Sequence, residues 1–171
     1  LIVSRGLGDV YKRQGFRSPN IDDVGKIREN KGILSVPNQS LKPEFAYSSE
    51  INFSKFSSDK KNVFSVNLYY THIENHIVRD YYSILNDLTT IDPTTILYNS
   101  EEVKTMANIN YGNAYIFGGS FDAQSSILKN LFFKASVTST NGGSVKNKYN
   151  LPSISPLFGH VALKLVSSDI K

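Results

Sequence analysis

The sequence predicts an all-β fold: an antiparallel transmembrane β-barrel segment, an incomplete barrel built as a meander of hairpins. Three observations carry this. Apolar residues recur at every second position through several segments. No segment shows the apolar stripe of a helix, with its 3.6-residue period. Short polar turns alternate with long connections, the arrangement of tight turns on one side of a membrane and long loops on the other.

The first hairpin runs from Tyr47 to Thr71. Tyr47, Ile51 and Phe53 share one parity, and Glu50, Asn52 and Ser54 the other. Ser57 to Asn62 is a short polar turn. Beyond it Phe64, Val66, Leu68 and Tyr70 alternate with Ser65, Asn67, Tyr69 and Thr71. Successive side chains of a strand point to opposite faces, so one face is apolar and the other polar. In the second hairpin, residues 106–123 put Ile109, Tyr111, Tyr115, Phe117 and Phe121 on one face. Asn110, Gly112, Ala114, Gly118, Ser120 and Asp122 fall on the other, with Ile116 the apolar exception. A turn between Ser125 and Asn130 leads to Leu131, Phe133, Ala135 and Val137, opposed by Lys134, Ser136 and Thr138. Asn141-Gly142-Gly143 predicts a break. A last strand, from about Leu157 to Val166, sets Val161, Leu163 and Leu165 against His160 and Lys164. The connections at 17–43 and 84–105 are long, polar and contain Pro.

Composition narrows the classes. Of 171 residues, 40% are hydrophobic and 20% charged, which is not the balance of a disordered chain. Ten Tyr and ten Phe favour strands. Without Cys there are no disulfides or thiolate metal sites. No run approaches the roughly 20 apolar residues of a membrane helix, and a barrel, whose strands alternate, never builds one. The net charge of +4 is scattered rather than gathered on one face, so no nucleic-acid partner is expected. A soluble β-sandwich remains the rival fold, since its loops can also be unequal.

Candidate chemistry is sparse. His72, Glu74 and His76 alternate along one strand and share a face. Their spread of ~13 Å is too wide for one ion unaided, so they read as polar residues at a barrel rim. Asp22-Asp23 and Glu101-Glu102 lie in polar loops and read as solvated charge. There is no nucleophile elbow and no Gly-rich phosphate loop. The expectation is a protein that is not an enzyme and carries no cofactor.

Five segments carry a family resemblance. Gly15-Phe16-Arg17-Ser18-Pro19-Asn20 resembles the Gly-Phe-Arg-Ala-Pro-Asn element of TonB-dependent receptors. Asn38-Gln39-Ser40-Leu41-Lys42-Pro43-Glu44 resembles their Asn-Pro-x-Leu-Lys-Pro-Glu, which opens a barrel strand; Gln39 stands where a turn-former is usual. Tyr69 to Ile77 is similar to the ascending strand ending in Asn-x-Ile. Asn110-Tyr111-Gly112-Asn113-Ala114-Tyr115-Ile116-Phe117-Gly118-Gly119-Ser120 follows Asn-x-Gly-x-Ala-x-Ile-x-Gly-x-Glu, with Ser120 for the usual Glu. Ile154-Ser155-Pro156-Leu157-Phe158-Gly159 resembles Ile-Pro-Pro-x-x-Gly, Ser155 departing from it. The form of the first element is most like receptors of Bacteroidota. Gly112 and Gly118 fall on the lumenal parity, where they either admit another backbone, such as a plug domain, or mark a bulge or bend.

The resemblance implies a receptor of the bacterial outer membrane that imports a scarce nutrient: an iron chelate, haem, cobalamin or a glycan. Its implied partners are outer-membrane lipid, the nutrient ligand, and TonB acting through a plug domain. The loops near 17–43, 84–105 and 141–153 would face outside. A passive porin-like barrel and a carbohydrate-binding sandwich are the rival functions. The chain starts at Leu1 without Met and stops at Asp169-Ile170-Lys171 without a terminal aromatic, so a piece of a longer protein is expected. Ser4 to Gln14 resembles a translated sequencing-adapter peptide. The expected division is therefore a non-native segment, 1–14, and a barrel fragment, 15–171.

Overall fold

The computed structural model describes residues 5–59, 61–84, 94–146 and 149–166. In chain order the elements are β1 (Arg5–Arg17), α1 (Ile21–Val24), β2 (Arg28–Asn30), β3 (Ile33–Ser35), β4 (Glu44–Phe56), β5 (Val63–Glu74), β6 (Ile77–Tyr81), β7 (Thr95–Tyr98), β8 (Glu101–Asn110), β9 (Ala114–Leu128), β10 (Leu131–Ser144) and β11 (Phe158–Leu165). They form two sheets. One has six strands in the order β1-β4-β5-β9-β10-β11; the other runs β2-β3-β8-β6, with β7 also pairing with β8. The chain divides into two compact units, residues 1–14, 47–72 and 114–171 in the first and 15–46 and 73–113 in the second.

The first unit carries the predicted alternation. Tyr47, Ile51, Phe53, Phe64, Leu68, Tyr70, Phe117, Phe121 and Val137 are between 41% and 57% exposed. No second layer of described residues covers them. The opposite parity is tied together by polar rungs: Ser48 to Thr71 at 2.8 Å, Ser54 to Ser65 at 2.9 Å, and the Asn67 amide to Glu50 at 2.5 Å. A sheet with its apolar side chains bare and its polar ones bonded to each other is inverted relative to a soluble sandwich, which buries the apolar face. The sheet ends in β1 and β11, which do not pair with each other, so the barrel is unclosed.

Turn chemistry sets the hairpin ends. Between β4 and β5, the Ser57 N–H donates to the Asn62 carbonyl at 2.9 Å and the Asn62 N–H to the Ser57 hydroxyl oxygen at 3.1 Å. The Ser57 hydroxyl and the Lys61 N–H hold the exposed Asp59 carboxyl below its ordinary range. Asn62 also ties this turn to the next hairpin, accepting from the Ser125 hydroxyl at 2.6 Å and the Ser126 N–H at 3.2 Å. Here the expected turn between Ser125 and Asn130 is corrected. β9 runs on to Leu128, and only Lys129-Asn130 turn. Asn62 satisfies the two serines as strand residues. The ladder absorbs Ile127 as a bulge, where the register jumps from Leu131↔Leu128 to Phe132↔Ser126.

Other boundaries move as well. The break expected at Asn141-Gly142-Gly143 is absent, because β10 continues to Ser144, paired with Ala114. The glycines serve packing there: a Cβ on Gly142 would lie 2.7 Å from Ile154 Cδ1 and 2.8 Å from the Tyr115 carbonyl. Ile116, the apolar exception on the polar parity, has its Cγ1 3.2 Å from that same position. The strand expected over 106–123 is instead two. Gly112, at φ +96°, breaks it between β8 and β9. The connections at 17–43 and 84–105 are not plain loops: they contribute α1, β2, β3, β7 and the start of β8, residues 85–93 lying outside the described set.

The second unit has its own core. Leu34, Val36, Val103 and Ala107 are buried, with Tyr82, Ile96, Tyr98 and Ile109 packed against them. Thr105, on the same parity of β8, is fully buried and bonds by its hydroxyl to the Tyr82 and Thr94 carbonyls. β3 joins β8 in parallel, Ile33↔Lys104 to Ser35↔Met106, and β6 joins it antiparallel, Ile77↔Asn110 to Tyr81↔Met106.

Candidate functional site

The second unit gathers motif residues from four segments into one polar knot. Its first part is built on α1. Pro19 precedes Asn20, which caps the helix. The Asn20 Oδ1 accepts from the Asp23 N–H at 2.9 Å, and the Asp23 carboxylate accepts from the Asn20 N–H at 3.0 Å. This reciprocal box satisfies donors that a helix start otherwise leaves open. Arg17 approaches the same carboxylate at 3.7 Å, and Asn108 of β8 donates its amide to Asp23 Oδ1. Asp23 is only 6% exposed while Asp22 stays solvated beside Lys26 at 3.1 Å. The expectation that both were loop charge is thus corrected for Asp23: it is a buried hub. Its position three residues after a capping Asn was the signal that could have shown this.

The second part joins the Asn38 to Glu44 segment to β8. The Asn38 N–H donates to the Asp23 carbonyl at 3.0 Å and its amide to the Asn108 carbonyl at 2.9 Å, while its Oδ1 accepts from the Ser40 hydroxyl at 2.7 Å. Asn38 and Leu41 are buried at 4% and 7% exposure. Asn110 then clamps the chain at Lys42. Its Oδ1 accepts from the Lys42 N–H at 2.7 Å, and its amide donates to the Lys42 carbonyl at 2.9 Å and the Asn75 carbonyl at 2.8 Å. The Pro43 carbonyl accepts from the Asn75 amide at 3.4 Å. Glu44 closes the knot, one carboxylate oxygen accepting from the Ile77 N–H at 2.7 Å and from His76 Nδ1 at 2.9 Å.

The strand from Tyr69 to Ile77 therefore bends at its end. Asn75 sits at φ +53°, so His72, Glu74 and His76 do not continue one alternation. His76 is committed to Glu44, and among the described residues no group of three His, Asp or Glu is placed to hold a metal ion.

The remaining motif positions are simpler. Phe16 is 71% exposed, its ring 6.4 Å from that of Phe45. A Cβ on Gly15 would meet nothing, so space does not explain that glycine. Ala114 is fully buried. Pro156 borders a cavity of about 450 Å³ with Tyr115, Phe117 and Ile154. A Cβ on Gly159 would lie 2.5 Å from the Ser136 carbonyl across the β10–β11 ladder. Gly118 leaves room for Tyr69, whose hydroxyl crosses it to Thr140 at 2.6 Å. Of the readings open for the two lumenal glycines, Gly112 supplies a bend, and Gly118 admits a neighbouring side chain.

Asn110 gives a direct test of the clamp. Asn110→Ala should cost about 1–2 kcal/mol, since three hydrogen bonds are lost at a partly solvated site. Asn110→Asp should cost more, because a carboxylate would face the Lys42 and Asn75 carbonyls. Urea unfolding of the chain in detergent, reported by fluorescence from a Trp introduced at Tyr82, would check the order; Ala costing more than Asp would contradict the clamp.

The family model described as TonB dependent receptor-like, beta-barrel matches residues 13–165. Sixteen chains of solved structures match, among them one described as copper transporter OprC. Its TM-score is 0.65 at 18% identity, over 99% of this chain and 23% of that one. The present chain thus spans about a quarter of that relative's length, and the likeness is one of fold. No curated protein matches the sequence.

Proposed function

The chain belongs to the TonB-dependent receptor-like β-barrel family, and from that premise we propose that it is part of the barrel wall of an outer-membrane transporter that imports a scarce nutrient with TonB-derived energy. The exposed apolar stripe of β4, β5, β9 and β10, backed by a bonded polar face, is the observation that carries this reading. Lipid needs an apolar band facing outward, and the interior needs hydrogen-bonding side chains. The polar face is then the lumenal wall on which a plug would rest, and the segments expected outside, at 17–43, 84–105 and beyond the end of β10 at Ser144, are where ligand is met. The nutrient is an iron chelate, haem, cobalamin or a glycan. Residues 1–14 we read as foreign to the receptor, although the family match begins at residue 13; on this reading most of β1 is a foreign strand held by the free edge of β4, and only Gly15 to Arg17 at its end belong to the receptor motif.

The chain lacks Trp, so an introduced one reports without background. Trp at Leu68 should be quenched strongly in vesicles of bromine-labelled phosphatidylcholine, and Trp at its neighbour Asn67 weakly. Equal quenching at both positions would remove the membrane reading and favour the carbohydrate-binding sandwich. A passive porin is distinguished by whether the gene that encodes the barrel also encodes a plug.

A further inference from the structure

The second unit holds a cavity beside the polar knot, with Asp23 and Asn108 in its wall. It encloses about 260 Å³ beside α1, β2, β3, β6 and β8. The registers place six of its lining residues, Arg28, Asn30, Ser35, Arg79, Met106 and Asn108, on one face of the sheet. Arg28 pairs with Ser35, Ser35 with Met106, and Asn108, two residues on, with Arg79. Asn30 shares the parity of Arg28. The other face of the same sheet is the apolar core of Leu34, Val103 and Ala107. The face opposite that core therefore carries the donors Arg28, Asn30, Ser35, Arg79 and Asn108 beside Met106.

The charges there do not balance. Lys26 is taken by Asp22, and Asp23 by Arg17, Asn20 and Asn108. Of the neighbouring acids, Glu29 accepts from the Gly32 N–H and Asp80 from the Tyr81 N–H. Arg79 donates one bond, to the Ser35 hydroxyl at 2.6 Å. Its remaining N–H groups, and all those of Arg28, have no carboxylate partner among the described residues. β2 and β6 are the outer strands of the order β2-β3-β8-β6. Three strand spacings put their axes ~14 Å apart, a gap that two arginine side chains can close on an oxyanion held between them.

We propose that this cavity binds the anionic oxygens of the transported ligand, carboxylate or phosphate, between Arg28 and Arg79, with Asn30, Ser35 and Asn108 as neutral donors. The proposal rests on the transporter reading and narrows its substrate to an acidic one. Guanidinium forks bind such groups through paired, charge-assisted hydrogen bonds.

The test is isothermal titration of the full chain in dodecyl maltoside at low salt, with citrate, pyrophosphate and sorbitol as probes. Citrate or pyrophosphate should bind and sorbitol should not; the tighter of the first two identifies the anion class. The double variant R28Q/R79Q should weaken binding at least about tenfold, as loss of a charge-assisted contact does. Because that variant could perturb the sheet, Asn30→Lys is the complementary probe. It adds a cation to the same face and should tighten binding several-fold, with a steeper salt dependence. Binding unchanged in both variants, or sorbitol bound as well as citrate, overturns the proposal. The transporter reading fails separately: a chain that binds citrate but shows no quenching difference between Trp at Leu68 and at Asn67 keeps the anion site and loses the barrel. One that shows the difference and binds neither anion keeps the barrel and loses the site.

Discussion

Gly118→Ala should destabilise the first unit by about 3 kcal/mol, within the range for overfilling a packed site. The sign is the informative part. Replacing glycine by alanine within a strand ordinarily stabilises by about 0.5–1 kcal/mol, because glycine loses more freedom on folding. Here the added Cβ would lie 2.5 Å from the Ser139 carbonyl and 2.5 Å from the Tyr69 hydroxyl. The tyrosine can swing away, at the cost of its bond to Thr140, worth about 1 kcal/mol. The Ser139 carbonyl belongs to the β9–β10 ladder and cannot move without breaking it. Overlap with backbone therefore outweighs the gain in propensity.

The same geometry predicts a coupling. In the double variant Gly118→Ala/Tyr69→Ala the ring clash is absent, while the carbonyl overlap persists. The two changes should cost less together than the sum of their separate effects, by about 1 kcal/mol. Urea midpoints for the parent, the two single variants and the double variant supply the cycle. A Gly118→Ala chain as stable as its parent would mean that Tyr69 does not lie across β9. Gly118 would then mark a site open to another segment, the alternative its parity allowed.

How far the sequence reveals this architecture depends on the range of the interactions involved. Alternation is a local property, so the apolar faces of β4, β5, β9, β10 and β11 are legible from Tyr47, Phe64, Phe117, Val137 and Leu163 without knowledge of their partners. Strand ends are less so. Ser125-Ser126 looks like a turn, and becomes strand only because Asn62, far away in sequence, bonds both residues. Gly142 looks like a break, and is a packing site only because Ile154 folds back onto it. The short strands β2, β3 and β7 are nearly invisible, since three or four residues cannot show a period and are held by β8 rather than by propensity.

The candidate site is legible in the same partial way. The motif resemblance singled out Arg17, Asn20, Asn38, Lys42, Glu44 and Asn110, and the structure brings them together in one unit. It could not show that Lys42 takes part through its backbone, or that Asp23 and Asn108 sit at the centre. The first depends on bonds to a residue 68 positions away and the second on a contact between residues 85 positions apart. The cationic face of Arg28 and Arg79 was hidden for a similar reason. Three strand registers must be known before those two residues are seen to share a side.

Asp23 is where a single change should do most damage. Its carboxylate receives the Asn20 N–H, the Asn108 amide and, more distantly, the Arg17 guanidinium, from two parts of the chain. Its own backbone bonds Asn20 and Asn38 as well. Asp23→Ala keeps those backbone bonds but leaves buried donors facing an empty space. Breaking a buried charged contact by removing one partner costs about 3–5 kcal/mol, much of it the desolvation of what remains. Asp23→Asn retains one acceptor oxygen but turns an amide donor toward either Asn20 or Asn108, so roughly half that loss is expected. The damage should be local. The amides of Asn38 and Ser40 and the β3–β8 ladder should lose hydrogen-exchange protection, while the β9–β10 ladder of the first unit keeps its own. Loss of protection in both units alike would show that Asp23 supports the whole chain; no loss in either would show that the knot is not formed. The cavity beside it adds a second readout. Asp23 lines that cavity, so even a variant that stays folded should change the affinity for citrate or pyrophosphate, and removing a negative charge next to Arg28 and Arg79 should raise it.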